Sequence, residues 1–216
     1  MKILALNSPR GDVEAGEFGL ACLPGQEGRF RESIGQALDY GRAIGAGSIH
    51  VMAGRPTPET GSDWQSLLVR NIGWACDAAS DFTILMEPLN RYDNPGYAYA
   101  TADEACALLL QIDRRNVRLM LDAYHEARGG FDPALAFVRH RAIVGHVQIA
   151  GVPARHEPEP ASAMLRNFFQ ALLRHGYEGW VGCEYKPAVD TDGGLGWLRD
   201  LEEEYGEPSA DGRALA

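Results

Sequence analysis

WVGCEYKP, residues 180–187, reads as a buried β-strand for four residues and then places a carboxylate, Glu184, where the strand runs out. An ionised carboxylate is costly to bury without a partner, so a charge at that point needs a reason. One such residue is as well explained by a helix cap or an ion pair as by a ligand role. Whether other strands end the same way decides between these readings, and the search for them also decides the fold.

Five further apolar runs have strand character: KILALN (2–7), SIHVMA (48–53), FTILMEP (82–88), VRLMLDAYH (117–125) and IVGHVQIAG (143–151). Between the runs, apolar residues recur at helical spacing, with Gly, Pro or Asn at most junctions. In FRESIGQALDYGRAIG, Phe30, Ile34, Leu38 and Ile44 fall on one face. Ahead of Glu184, the stripe Leu165, Phe168, Phe169, Leu172 and Leu173 predicts a helix packed on the sheet. Repeated strand-helix units predict an α/β fold with a parallel sheet, and the continuous apolar strands predict burial on both faces. Six units are visible. They are expected to form one domain over residues 1–204, followed by a polar segment, 205–216, that predicts a flexible tail.

Composition narrows the class. The chain has 216 residues, 45% of them hydrophobic and 23% charged, which suits one globular domain. No run approaches the roughly 18–20 apolar residues of a membrane span, and ILAL near the start is too short for a signal-peptide core, so a cytoplasmic protein without a membrane partner is expected. The net charge of −10 repels a phosphate backbone, so no nucleic-acid partner is expected, whereas small anions need only a few local cations. Cys22, Cys76, Cys106 and Cys183 form no C-x-x-C pair and read as reduced packing residues.

In (β/α) barrels and doubly wound sheets alike, ligands sit at the carboxyl ends of the strands. Here those ends carry Asn7, His50, Glu87, Asp122 with His125, Gln148 and Glu184, while the opposite ends begin mostly with Lys, Ser, Phe, Val, Ile and Trp. Three carboxylates and one amide oxygen converging on one rim are unfavourable without a compensating cation. Such oxygen-rich donors suit Mg²⁺ or Mn²⁺, and the neighbouring His125 keeps a mixed nitrogen and oxygen site open.

The pieces MEPLNRYDNPGY (86–97), LMLDAYH (119–125), GHVQIAGVPARHEP (145–158) and GYEGWVGCEYKP (176–187) closely resemble the hydroxypyruvate isomerase family of xylose-isomerase-like TIM barrels, which includes 2-oxo-tetronate isomerases. The resemblance runs from about Leu6 to Pro187 and takes in the first third through LPGQEGRFRESIGQALDYGRAIGAGSIHVMAG. It implies a TIM (β/α) barrel in which Glu87, Asp122, Gln148 and Glu184 match the metal ligands, with Glu87 and Glu184 also the proton-transferring pair. It further implies that His125 and the Arg155-His156 pair contact a small hydroxy-oxo acid substrate. Met1 stands immediately before what resembles the family's third strand, so the expectation is a barrel lacking its first two strand-helix units, as in a truncated product, a misassigned start or a fragment. Six strands of a barrel leave two unpaired edges, which a homo-oligomer would cover. After RHEP, where the family continues with a polar stretch, this chain has Ala161, Ser162, Ala163, Met164 and Leu165.

The chemistry is coherent without the family. Interconverting an α-hydroxy ketone and an α-hydroxy aldehyde removes a proton beside a carbonyl and returns one to the neighbouring carbon, through an enediolate that a Lewis-acidic metal stabilises. Two carboxylates flanking the substrate serve as base and acid. A substrate carboxylate needs a cation or donors, and Arg155, His156, Lys186 and His50 are the candidates by position. Each has a plainer reading. Lys186 is equally a surface charge and His50 equally a hydrogen-bonded barrel histidine, while Arg155 and His156 lie in the Pro-bounded loop VPARHEP with no evident packing purpose. The loop NRYDNPGY reads either as a lid bearing Tyr92 and Tyr97 or as an ordinary connection. Three functions stay open: the isomerase, a ketose 3-epimerase or DNA-repair endonuclease on the same barrel, and a partial barrel that binds metal without turnover.

Overall fold

The computed structural model describes residues 2–57, 61 and 63–205. The segment 206–216, most of the expected tail, lies outside the described residues. Among the described residues six strands and eight helices follow in the order β1 (Ala5–Asn7), α1 (Glu27–Ile44), β2 (Ser48–His50), α2 (Trp64–Ala78), β3 (Thr83–Met86), α3 (Ala102–Ile112), β4 (Val117–Asp122), α4 (Ala123–Arg128), α5 (Pro133–His140), β5 (Val144–Ile149), α6 (Ala163–Arg174), β6 (Val181–Cys183), α7 (Thr191–Gly194) and α8 (Gly196–Tyr205). Every strand falls inside one of the six apolar runs. Among the described residues no helix is long and apolar enough to cross a membrane. All four cysteines are free; Cys183 is exposed and the other three are buried.

The chain divides into two compact units, one ending at Met120 and one beginning at Leu121, so that β4 supplies residues to both. In the first unit the strands pair in parallel and in chain order, with Asn7 abreast of His50, His50 abreast of Leu85 and Met86 abreast of Leu119. In the second, β5 pairs with β6 in parallel, Gln148 abreast of Gly182. Parallel strands all run out at one end, so each unit gathers its strand-terminal side chains on one rim.

Strands β3 and β4 are the most enclosed. Ile84, Leu85 and Met86 of β3 are buried, as is every residue of β4 but Arg118, which is the burial on both faces that continuous apolar strands predict. Strands β1, β5 and β6 depart from that expectation: β5 buries only Val147 and Ile149 and alternates with Gly145, His146 and Gln148, and β6 is half-buried or exposed throughout. Polar residues at every second place give β5 one wet face, the pattern of a strand covered on one side only.

Helix periodicity holds with two adjustments. In α1, Phe30, Ile34 and Leu38 are buried and Ile44 at its end is half-buried. In α6, Leu165, Phe168, Phe169 and Leu172 are buried, each contributing about 1.5–3 kcal/mol if fully withdrawn from water. Leu173, expected in the same stripe, is 39% exposed because it stands one residue, about 100°, past Leu172. Phe137 of α5 meets Phe168 edge-on at 6.4 Å and fixes the α5–α6 packing. Helix starts follow ordinary capping chemistry: Thr101 accepts from the Glu104 amide, Asp132 from Ala134 and Ser162 from Leu165.

Candidate active site

In the first unit, His50 ends β2 and Glu87 stands one residue past β3. The register that sets β2 beside β3 brings them together: His50 Nδ1 lies 3.6 Å from Glu87 Oε2 and 3.1 Å from Asn7 Oδ1. His50 is 3% exposed and Glu87 4%. Burial pushes the imidazole down to about 4, so at neutral pH His50 offers hydrogen-bonding nitrogens and no positive charge.

Aromatic rings wall this side. Tyr97 is buried, its hydroxyl accepts from the Ala53 amide at 2.9 Å, and its ring meets Tyr99 at 5.4 Å and Phe18 at 6.0 Å. Burial pushes its hydroxyl well up, which keeps it protonated. Tyr97 is thus part of the wall and not of a lid, while Tyr92 in the same loop is 70% exposed. The loop is an ordered turn: fully buried Asn90 accepts from the Tyr92 and Asp93 amides and donates to Asp93 Oδ2. A second connection is held by glycine, since a Cβ on Gly19 (φ 118°) would collide with the Met52 carbonyl where Gly19 bridges Ala53.

In the second unit, Asp122 ends β4 and caps α4 by accepting from the Tyr124 amide at 2.9 Å. It is 1% exposed. Burial pushes its carboxyl up to about 7; the Arg155 guanidinium and the Tyr124 amide pull it back, and Glu184 and Glu126 push it further up. His125, also buried, places Nε2 3.8 Å from Asp122 Oδ2. Arg155 reaches two of the expected ligands, with Nη2 3.5 Å from Asp122 Oδ2 and 3.2 Å from Glu184 Oε1, and stacks 5.1 Å over Tyr124. Gln148 donates from Nε2 to Glu184 Oε2 at 2.9 Å. The Glu184 side chain is 56% exposed.

The loop VPARHEP is laced to the segment after β6. The Lys186 amide donates to the Arg155 carbonyl at 2.7 Å, His156 Nδ1 donates to the Lys186 carbonyl at 2.9 Å, and the Ala188 amide bonds the Glu157 carboxylate at 3.0 Å. Arg155 itself holds φ at 57°, a left-handed conformation that a long side chain adopts only when its surroundings enforce it. Lys186 and His156 are both exposed, and they join this lacing through the Lys186 backbone and the His156 ring.

Three buried groups of the kinds that hold metal, Glu87, Asp122 and His125, are present. Gln148 Oε1 is buried and meets no hydrogen-bond donor among the described residues. An amide oxygen with its amino end committed to Glu184 and its lone pairs uncovered fits a cation or a substrate hydroxyl, and a cation also relieves the burial cost on Asp122. The donors therefore fit a divalent ion. Sequence reasoning did not single out Glu126, a buried carboxylate beside Asp122, although DAYHE spaces it four residues on, one helical turn. Nor did it single out Asn7 as the partner of His50, because that pairing depends on strand register.

The model of the xylose isomerase-like TIM barrel family matches residues 1–201. The chain is 41% identical to the 2-oxo-tetronate isomerase of Cupriavidus necator over 89% of its length and 75% of that protein's. It is 34% identical to the hydroxypyruvate isomerase of Escherichia coli over 89% and 76% of the two lengths. A crystal structure described as an AP endonuclease, family 2, from Brucella melitensis superposes with a TM-score of 0.85 at 35% identity, covering 93% of this chain and 78% of that one.

Proposed function

The chain belongs to the hydroxypyruvate isomerase and 2-oxo-tetronate isomerase family of xylose isomerase-like TIM barrels, and on that footing we propose that it is a metal-dependent isomerase of small hydroxy-oxo acids. The reaction is the interconversion of an α-hydroxy ketone acid and the matching aldehyde acid, either hydroxypyruvate with tartronate semialdehyde or a 2-oxo-tetronate with its isomer. Glu87, Asp122, Gln148 and Glu184 hold Mg²⁺ or Mn²⁺, with His125 the nitrogen donor if the ion prefers a mixed set. The bound ion supplies Lewis acidity toward the substrate oxygens. Glu87 and Glu184 remove a proton from one carbon and return one to the next. Arg155, stacked on Tyr124 and held by the backbone of its loop, receives the substrate carboxylate, with His156 and Lys186 as flanking donors. A small-metabolite reaction of this kind suits a cytoplasmic enzyme.

One observation carries this reading: a glutamate stands one residue past the end of a strand in each unit, Glu87 after β3 and Glu184 after β6, each with a side-chain partner already in place. The test is NMR of the protein in D₂O with Mn²⁺ or Mg²⁺, offered hydroxypyruvate and then a 2-oxo-tetronate. Metal-dependent deuterium incorporation with isomerised product, lost in Glu184→Gln, is the expected result. A folded, metal-loaded protein that exchanges neither acid overturns the proposal, and exchange confined to a free ketose moves it to a 3-epimerase.

A further inference from the structure

A substrate contact for His50 leaves open which ring nitrogen makes it, and the surroundings of the ring answer that. Asn7 ends β1, His50 ends β2, and the two are direct partners in the parallel register, so their side chains leave neighbouring strands abreast. The Ser8 amide bonds the His50 carbonyl at 2.9 Å and fixes the two backbones there. His50 Nδ1 then faces two oxygens, Asn7 Oδ1 at 3.1 Å and Glu87 Oε2 at 3.6 Å. A neutral imidazole carries one proton, and the nitrogen flanked by acceptors is the one that holds it. The other nitrogen, Nε2, is buried and meets no hydrogen-bonding partner among the described residues. A buried polar atom left in that state calls for an explanation, and a missing donor is the simplest one.

We propose that Asn7 is a positioning residue: by accepting from Nδ1–H it holds His50 in one tautomer and leaves Nε2 as the acceptor for a substrate hydroxyl. The inference rests on the isomerase reading for the identity of that hydroxyl. In an α-hydroxy ketone to aldehyde conversion, the hydroxyl oxygen of the starting acid becomes the carbonyl oxygen of the product. Nε2 orients that O–H through a hydrogen bond and makes no bond of its own, so a substrate analogue with the hydroxyl methylated loses the contact. Buried acceptors of this type discriminate strongly, because an analogue without the donor leaves them unpaired. Asn7 itself is exposed, so its replacement tests the hydrogen bond without emptying the core.

The experiment is two-bond proton–nitrogen NMR of His50 in the ¹⁵N-labelled full chain. The wild type is expected to show a protonated Nδ1 and an unprotonated Nε2. Asn7→Leu is expected to mix the two tautomers and to lower kcat/KM by roughly tenfold, the lower end of what outer partners of an active-site histidine carry. Asn7→Asp keeps an acceptor oxygen in the same place and is expected to retain the wild-type nitrogen pattern above neutral pH. A wild-type proton on Nε2, or an Asn7→Leu protein with an unchanged nitrogen pattern, overturns the proposal. A wild type that shows the expected pattern but turns over neither acid upholds the hold of Asn7 on the ring and removes the isomerase reading instead.

Discussion

The rim of the first unit and the rim of the second present the same kind of residue in opposite surroundings. Glu87 follows Met86 at the end of β3, and Glu184 follows Cys183 at the end of β6. Glu87 is buried with His50, Tyr97 and Tyr99, none more than 4% exposed, whereas the Glu184 side chain is 56% exposed and its neighbour Lys186 is also in solvent. Strand geometry delivers a side chain to the rim; the cover supplied by the rest of the chain decides whether water follows it. In the first unit the carboxylate stands between paired strands and a wall of rings, with His50 Nδ1 3.6 Å away. In the second it is held by two side chains, Gln148 at 2.9 Å and Arg155 at 3.2 Å.

The largest expected effect tests whether two such different glutamates share one task. Glu87→Gln and Glu184→Gln should each lower kcat by about 10²- to 10⁴-fold, the usual worth of a proton-transferring side chain. Steady-state rates with Mn²⁺ and either acid check this. The same pair separates the regions by stability: Glu184→Gln, at an open position, should leave unfolding within about 0.5 kcal/mol of wild type. Full activity in either variant breaks the pairing of the two rims.

A smaller effect concerns Asp122, the buried counterpart of Glu184 in its own unit. Its carboxyl titrates near 4 when the chain is unfolded and at about 7 when folded, chiefly through burial. Between those values the folded state binds a proton that the unfolded state has released. The stability from this group is therefore fully present below about pH 4 and is lost as pH rises through about 7. Asp122→Asn keeps the oxygen that caps α4 and removes the charge. In chelator-treated protein its stability relative to wild type should rise by roughly 1–3 kcal/mol between pH 5 and pH 8. Differential scanning calorimetry at the two pH values reads this, and added Mg²⁺ or Mn²⁺ should narrow the gap by stabilising wild type. A gap independent of pH would mean that burial does not govern Asp122.

Alternation of strand and helix was legible because it is written in local pattern: unbroken apolar runs, then a 3.6-residue period. The candidate site was legible for the same reason, since a polar residue closing an apolar run stands out. What covers each element was not legible. Runs such as IVGHVQIAG and WVGCEYKP read as continuous strands, yet β5 and β6 keep a solvated face, because nothing in a run records how much chain lies over it. From its loop Tyr97 reads either as a lid residue or as part of an ordinary connection, and what makes it a wall residue is one hydroxyl contact to Ala53, 44 positions away. Leu173 shared the apolar character of its stripe but not its angle. The Asn7–His50 contact required a register, which two residues 43 positions apart do not disclose.

The finest test of the two rims uses solvent isotope as a ruler of exposure. A carboxyl group half open to water trades its proton for deuterium quickly in D₂O, while one sealed behind rings and strands trades slowly. Glu184 should therefore deliver solvent deuterium to the carbon it serves. Glu87, when it is the base, keeps the proton it has just removed because that proton has a poor route out, so part of it returns to the same carbon before solvent deuterium replaces it. Since the two glutamates exchange roles as base and acid when the reaction reverses, the deuterium content of recovered substrate should differ between the two directions at low conversion. Mass spectrometry of substrate recovered from reaction of the ketone acid and, separately, of the aldehyde acid measures it. Equal and complete labelling both ways would mean that substrate binding opens the first rim to water as fully as the second.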